Sequence, residues 1–428
     1  MKAVIIVGGK GKRLGKISKN LPKALIRIDG KPLLEYQINL LIKNGIKEVW
    51  LLIGYKGEMI RDYFGNGKKR NIKIHYSEEK RPLGTAGAVK SIAEKLSEDF
   101  LVLYGDVMVN FDIKRFILFH NRYGKKSLAT IVVHPNDHPL DSDLVEVKSS
   151  QVVNIYPKPH LSGEWRHNLV SAAVYILSPK ILNFIPTNKE TDFGKNIFPK
   201  LLKKSKNITA YNTWEYFKDM GNLSRLKIAR RDYQLGIYQR LNYQNKQKAV
   251  FLDRDGVINE EVDELINIDD LRIYPSSFPA IKKINQSGFL AIIVTNQPMI
   301  AKGKLTEDEL DEIHRKLETL LGEHGAKIDA IYYCPHHPER GWKGEIKKLK
   351  IRCSCRKPNI GLIKRAVRDF NIDLSKSYFI GDSDIDYQTA ENAGIKFVGV
   401  ETGYGKLKAG EILLKKNLAE AVDYILKT

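Results

Sequence analysis

Apolar residues fall in short runs along this chain, and the runs tend to close on Gly, Asp or Asn. In the first half they are Ala3–Val7, Glu48–Ile53, Ile72–Tyr76 and Phe100–Tyr104. Lys248–Leu252, Phe289–Val294, Ala330–Tyr333, Ser377–Ile380 and Phe397–Val400 repeat the pattern in the second half. Short apolar runs bounded by turn formers predict strands buried on both faces. Between them, Leu33–Asn44 and Thr85–Leu96 carry apolar residues at helical spacing. Strands alternating with helices predict an α/β protein with two doubly wound, mostly parallel sheets, whose ligands sit beyond the carboxyl ends of the strands. Leu223–Gln247 breaks the alternation: it is rich in Arg, Lys, Gln and Leu, has only Gly236 as a breaker, and is predicted as a helical linker. The expected division is residues 1–222, the linker 223–247, and residues 248–428.

Charge narrows the partners. The 428 residues include 71 Lys and Arg against 50 Asp and Glu, a formal net charge of +21. A positive field of that size favours phosphorylated metabolites, nucleotides, nucleic acid or an acidic membrane. The lysines are spread along the chain instead of forming an arm, and no aromatic–basic interleaving marks a nucleic-acid surface, so no nucleic-acid partner is expected. A Lys/Glu-rich surface of the heat-stable kind accounts for part of the charge. No apolar stretch reaches the ~20 residues that span a bilayer. The Met1–Gly9 run closes on glycines too early for a signal peptide, so the chain is expected to be cytoplasmic, without a membrane partner.

The second half carries the first candidate chemistry. Phe251-Leu252-Asp253-Arg254-Asp255-Gly256 follows a predicted strand directly. Asp253 at the strand end projects into the crevice over the sheet edge, and Gly256 permits the turn that points Asp255 to the same place. One carboxylate can attack phosphorus while the other protonates the leaving oxygen and later activates water. Two acids this close repel, so a cation is expected, and oxygen-only ligands suit Mg²⁺. A plain Asp-rich turn is the alternative for this motif alone. Thr295-Asn296 adds a hydroxyl and an amide at the end of another strand, Arg356-Lys357-Pro358 adds cations, and Gly381-Asp382-Ser383-Asp384-Ile385-Asp386 adds acids. In this order the four elements resemble the haloacid dehalogenase phosphatase superfamily over 248–400. The resemblance implies Asp253 as nucleophile, Asp255 as acid/base, Thr295 and Lys357 as phosphate binders, and Mg²⁺ among Asp253, Asp255 and Asp382. Asp386 is implied as an orienting acid.

All three cysteines lie in the loop 334–355: Cys334 in Cys334-Pro335-His336-His337, then Cys353 and Cys355 just before Arg356. An odd number of cysteines in a cytosolic-looking chain points to a metal over disulfides. Three thiolates and one imidazole, His336 in preference to His337, make a closed tetrahedral set, so structural Zn²⁺ on Cys334, His336, Cys353 and Cys355 is expected. It would also pin the loop that delivers Arg356 and Lys357. This loop is similar to that of the heptose 1,7-bisphosphate phosphatases and the histidinol-phosphate phosphatases. The segment Gln297-Pro298-Met299-Ile300-Ala301-Lys302-Gly303 departs from the usual Q-S-G-I-A-R-G.

In the first half, Gly8-Gly9-Lys10-Gly11-Lys12-Arg13 follows the first predicted strand. Glycines let backbone N–H groups approach a triphosphate, and Lys12 and Arg13 add charge. Leu21-Pro22-Lys23-Ala24-Leu25 presents Lys23, Leu83-Gly84-Thr85-Ala86-Gly87 can meet a base through Gly84 and Thr85, and Gly105-Asp106 closes a strand. Together these resemble the sugar-1-phosphate nucleotidyltransferases over roughly 1–222. The resemblance implies Arg13 and Lys23 on the phosphates and Mg²⁺ between Asp106 and Asp219. Lys158 in Pro157-Lys158-Pro159 matches the lysine of that family's E-K-P, and Ser171-Ala172-Ala173-Val174-Tyr175 stands where N-A-G-x-Y is usual.

The two resemblances fit consecutive steps. A heptose bisphosphate would lose its 7-phosphate, and the heptose 1-phosphate would then take a nucleotidyl group. The first half looks most like the heptose 1-phosphate guanylyltransferases, which favours GTP over another NTP. Other sugar phosphates or histidinol phosphate, and more remotely a nucleic-acid end-processing phosphatase, are the alternatives.

Overall fold

The computed structural model describes the chain apart from residues 10, 16–18, 162, 406 and 408–411. The side chain of Lys12, expected to add charge to the glycine loop, lies outside what is described. Two compact units emerge: residues 1–134, 143–157 and 169–242, then residues 135–142, 158–168 and 243–428.

Ala3–Ile6 carries its apolar side chains into the core, Ala3, Val4 and Ile5 being fully buried, and pairs parallel with Glu48–Ile53 on one edge and Phe100–Tyr104 on the other. It lies inside a nine-stranded sheet. The spatial order is Lys73–Glu78, Glu48–Ile53, Ala3–Ile6, Phe100–Tyr104, Val170–Leu177, Ala129–His134, Ile208–Asn212, Gln151–Tyr156 and Leu144–Lys148. The first four strands are the parallel set anticipated from the sequence. The other five mix directions, with Val170–Leu177 antiparallel to both its main neighbours. Antiparallel neighbours need no crossover helix, so the strand–helix alternation that revealed the first four is missing there. Leu33–Lys43 forms the expected helix, whereas the helix expected over 85–96 is a shorter Gly84–Lys90 followed by the single turn Ala93–Lys95.

The segment expected as a linker is a core element instead. Helices Leu223–Gln234 and Ile237–Arg240 bury Leu226, Ala229, Ile237 and Tyr238 against Ile28, Tyr36, Met108 and Met220. The Tyr36 ring meets Tyr233 and Tyr238 edge-on at 5.5 and 5.6 Å. Its many arginines disguise this stripe in the sequence, although Arg225 itself reaches back to Asp219 at 2.6 Å. The first unit accordingly runs to Asn242.

The second unit is built on six parallel strands in the order Ala330–Cys334, Leu290–Asn296, Ala249–Leu252, Tyr378–Gly381, Lys396–Val400 and Leu414–Lys415. The chain leaves Ala249–Leu252 towards one edge and returns to build the other. The crevice at such a switch of direction is where α/β sheets bind ligands. Helix Glu307–Glu323 is held at its start by a reciprocal cap between Thr306 and Glu309. No helix among the described residues is long and apolar enough to cross a membrane.

Leu226 is 2% exposed, so Leu226→Ala should destabilise the first unit. The expected cost is about 2–5 kcal/mol, as for other buried leucines. Denaturant unfolding measures it, and a loosely held connector would show no loss.

Candidate active sites

In the first unit a cavity of about 700 Å³ opens beyond the carboxyl ends of Ala3–Ile6 and Phe100–Tyr104. Gly8, Gly9, Gly11 and Arg13 line one part of it. Lys23 and Asp106 line another part and are joined at 2.6 Å, with Lys23 only 8% exposed. Gly105 belongs at this turn because a Cβ there would overlap Val7 and sit 3.0 Å from the Ile6 carbonyl oxygen. Gln37, buried on helix Leu33–Lys43, donates to the carbonyls of Tyr104 and Val107 at 2.8 and 2.6 Å and so straps both ends of the Asp106 turn. Nothing in the local sequence around residue 37 marks that role.

Asp219 arrives on a two-stranded ribbon with Val107–Asn110, opposite Val107 and one residue along from Asp106. Gly221, which lines the cavity, donates its N–H to Asp219 at 2.8 Å, and a Cβ there would lie 3.2 Å from the Arg13 guanidinium. Asp219 is thus brought to the turn that carries Asp106, and Gly221 stands beside both Asp219 and Arg13. Gly84 and Thr85 also line the cavity, but the Thr85 hydroxyl is committed to Asp192 at 2.7 Å. Gly84 has φ +71° and presses on Thr191, where a Cβ would fall 2.6 Å from the carbonyl oxygen. Asp192 and Glu79, both on the lining, carried no motif. Burial pushes the Glu79 carboxyl up, against a hydrogen bond from the Leu83 N–H. Lys158 falls in the second unit, where its ammonium bonds the Asp141 carboxylate at 2.8 Å and the Asp141 carbonyl at 2.7 Å. Ala173, where the resembling family has glycine, keeps a φ of +56° at a bulge in its strand.

In the second unit Asp253, Thr295 with Asn296, and Asp382 stand at the carboxyl ends of three adjacent parallel strands. Lys357 joins them, 4% exposed, its ammonium 2.8 Å from Asp253 and 2.6 Å from Asp386. Burial pulls the Lys357 pKa down, but the two carboxylates outweigh it and hold the ammonium charged. Asn296 fixes this lysine's backbone, accepting from its N–H at 3.0 Å and donating to its carbonyl at 3.3 Å. Arg356 turns instead towards the His336 carbonyl, 3.3 Å away. Thr295 is buried, its hydroxyl accepting from Gln297 at 3.0 Å.

The carboxylates that converge are Asp253, Asp382 and Asp386, with ligand oxygens within 4.8 Å of one another. Burial, opposed by Lys357, pushes the Asp253 carboxyl up. Burial and the charge of Asp386 push Asp382 to about 6. Three carboxyl groups side by side, two of them resisting ionisation, are a donor set that a hard divalent cation relieves. The Asp255 side chain is not one of the three. Its oxygens are taken by Arg254 at 2.9 and 3.1 Å, Asn259 at 2.9 Å and Gln297 at 3.0 Å. Burial raises its pKa, but those partners, Arg254 foremost, bring it below the usual carboxylate range. Asp386, expected only to orient the others, sits inside the trio. Glycines make the cluster possible: a Cβ on Gly381 would overlap Asp386, and one on Gly403 would overlap Asp382. Neither Gly403 nor Gly405, whose N–H donates to Asp382 at 3.2 Å, was marked by a motif.

Cys334, His336, Cys353 and Cys355 gather as anticipated. Their sulfurs lie 3.2 to 3.5 Å apart, with His336 Nδ1 3.2 Å from Cys355 and 3.6 Å from Cys334. All four ligand atoms fit within one metal's reach. The Arg356 N–H rests on the Cys353 sulfur at 3.3 Å, which ties this cluster to the loop carrying Lys357.

Two family models match separate stretches of the chain. The family model described as nucleotidyl transferase matches residues 2–235, and the HAD-hydrolase-like model matches residues 354–427. The chain is 38% identical over 184 residues to a D-glycero-beta-D-manno-heptose-1,7-bisphosphate 7-phosphatase of Haemophilus ducreyi, covering 42% of this chain and 98% of that protein. It is 34% identical over 227 residues to the mannose-1-phosphate guanylyltransferase catalytic subunit beta of Xenopus tropicalis, covering 52% of this chain and 61% of that protein. The crystal structure of HddC from Yersinia pseudotuberculosis overlays 54% of the chain and 99% of its own, with 28% identity and a TM-score of 0.47.

Because a Cβ at residue 403 meets the Asp382 carboxylate, Gly403→Ala should slow phosphate release by ~10–100-fold, the usual cost of disturbing a metal ligand's support. Nucleotidyl transfer by the same preparation should be unchanged. Equal loss of both activities would place the defect elsewhere.

Proposed function

The chain belongs to the nucleotidyl transferase family through residues 2–235 and to the HAD-like phosphatases through its second half, and on that premise we propose that it activates a seven-carbon sugar in two steps. It is a bifunctional enzyme. The proposed substrates are a heptose 1,7-bisphosphate, which loses its 7-phosphate, and the resulting heptose 1-phosphate, which takes a nucleotidyl group. The observation that carries the reading is the presence, in one chain, of a phosphomonoesterase cluster and a nucleotide cavity whose chemistries share a sugar 1-phosphate. The phosphatase relative's own substrate supplies the sugar.

In the first step Asp253 attacks the phosphorus and the bond to the sugar oxygen breaks; the proton that oxygen takes comes from Asp255 in its protonated form, the minor form while Arg254 pairs with the carboxylate. Water then attacks the phosphoaspartate, giving its proton to Asp255, and inorganic phosphate leaves. Lys357 and the Thr295 hydroxyl would hold the transferring oxygens, with the Asn296 side-chain amide fixing the Lys357 backbone. Mg²⁺ bound at Asp253, Asp382 and Asp386 would neutralise the developing charge and keep the nucleophile ionised. In the second step a sugar phosphate oxygen attacks the α-phosphorus of the NTP and pyrophosphate departs. Arg13 and Lys23 neutralise the phosphates, and Asp106 with Asp219 would hold a second Mg²⁺. GTP is the favoured NTP. The guanylyltransferase relative supports it, and Glu79 on the cavity wall matches the two-donor edge of guanine. Zinc is the metal proposed for the Cys334, His336, Cys353 and Cys355 cluster, where three thiolates and an imidazole leave no open position.

Heptose 1,7-bisphosphate supplied with Mg²⁺ and each NTP in turn should give phosphate, pyrophosphate and a GDP-heptose. No nucleotide sugar from any NTP would sink the proposal. Asp253→Asn should abolish phosphate release yet leave transfer onto supplied heptose 1-phosphate intact, as followed by pyrophosphate assay. Metal analysis should find zinc in the native chain and none in Cys353→Ser, with phosphate release falling in parallel.

A further inference from the structure

Helix Glu307–Glu323 buries Leu310, Ile313, His314, Leu317 and Leu321, a stripe in which His314 alone has a polar side chain. Its Nε2 lies 3.2 Å from Nη1 of Arg254. A guanidinium can only donate, so the imidazole accepts at Nε2 and carries its proton on Nδ1. Burial, and then the Arg254 charge, push the His314 pKa down to about 3, so the ring is neutral. Arg254 has 0% exposure, and its Nε and Nη2 span both oxygens of Asp255 at 3.1 and 2.9 Å. Asn259 and Gln297 hold one oxygen each.

A bidentate fork fixes the guanidinium relative to the carboxylate, while Asn259 and Gln297 hold the carboxylate itself. The bond from Nη1 to His314 adds a contact from the guanidinium to helix Glu307–Glu323. We propose that His314 is a positioning residue for phosphoryl transfer, fixing Asp255 through Arg254 so that the leaving-group proton is delivered along one line. The inference rests on the reading of Asp255 as acid/base.

The test compares His314→Leu, which fills the space but cannot accept, with His314→Gln, whose amide oxygen can replace Nε2. With heptose 1,7-bisphosphate, kcat of the Leu variant should fall by ~10-fold, at the low end for losing an outer partner, with KM near the native value. The Gln variant should recover most of the rate. With p-nitrophenyl phosphate, whose leaving group departs without a proton, the Leu variant should lose much less. Equal loss on both substrates, a change confined to KM, no loss at all, or a Gln variant as poor as Leu would each overturn the proposal. If His314→Leu melts early, His314→Asn, whose oxygen falls short of Nε2, takes its place in the comparison. Asp255→Asn separates the two levels. If it still turns over the sugar bisphosphate, the acid/base reading fails as well; if it is inactive, a silent His314→Leu overturns the positioning role alone.

Discussion

Three carboxylates, Asp253, Asp382 and Asp386, are held together at the end of a parallel sheet, partly or wholly out of water. Burying like charges this close is expensive, and much of the second unit is arranged around that cost. Lys357 answers it with one buried cation touching two of the acids, and Asn296 clamps the backbone of that lysine so that the cation cannot drift. Glycines at 381 and 403 remove the side chains that would otherwise stand where the carboxylates must be. What remains uncompensated is negative charge, and a divalent cation together with a phosphoryl group is the chemistry that meets it.

The same reasoning applies in reverse to Asp255. Its carboxylate is fully satisfied by Arg254, Asn259 and Gln297, so it has no need of a metal. The resemblance that implied Asp255 as a side-chain metal ligand and Asp386 as an outer acid therefore matches the geometry only in part. Which acids converge depends on how the turn after each strand leaves the sheet. In the first unit the anionic pair Asp106 and Asp219 is met by Lys23 and Arg225, and the cavity is walled by backbone from the glycine loop. There the buried Gln37 does for the Asp106 turn what Asn296 does for Lys357.

Much of this was legible from the chain. Strands ending in Asp253, Thr295 and Asp382 could be read because parallel strands buried on both faces are nearly continuous apolar runs, and the residue after each run must leave the sheet at the same edge. The Cys334–Cys355 loop was legible because three cysteines and a histidine at such spacings suit a single tetrahedral metal. Residues 129–212 were not, since antiparallel strands joined by irregular loops lack the alternation that marks a crossover. The helices after residue 222 were mistaken for a linker because arginine-rich helices hide their apolar stripe in composition. Lys158 matched a motif by sequence, yet its segment turns to Asp141.

Sequence alone determined the two α/β units, the order of their catalytic motifs and the donor set of the cysteine–histidine cluster, because each depends on residues close together in the chain or on one periodicity. Tertiary structure decided which carboxylates share a site, which cation pairs with them, and which polar side chains are spent on support. Those outcomes hang on contacts such as Lys357 with Asp386, Gln37 with Val107, and His314 with Arg254. Their partners are far apart along the chain, and only the packing of strands and helices between them sets the distance.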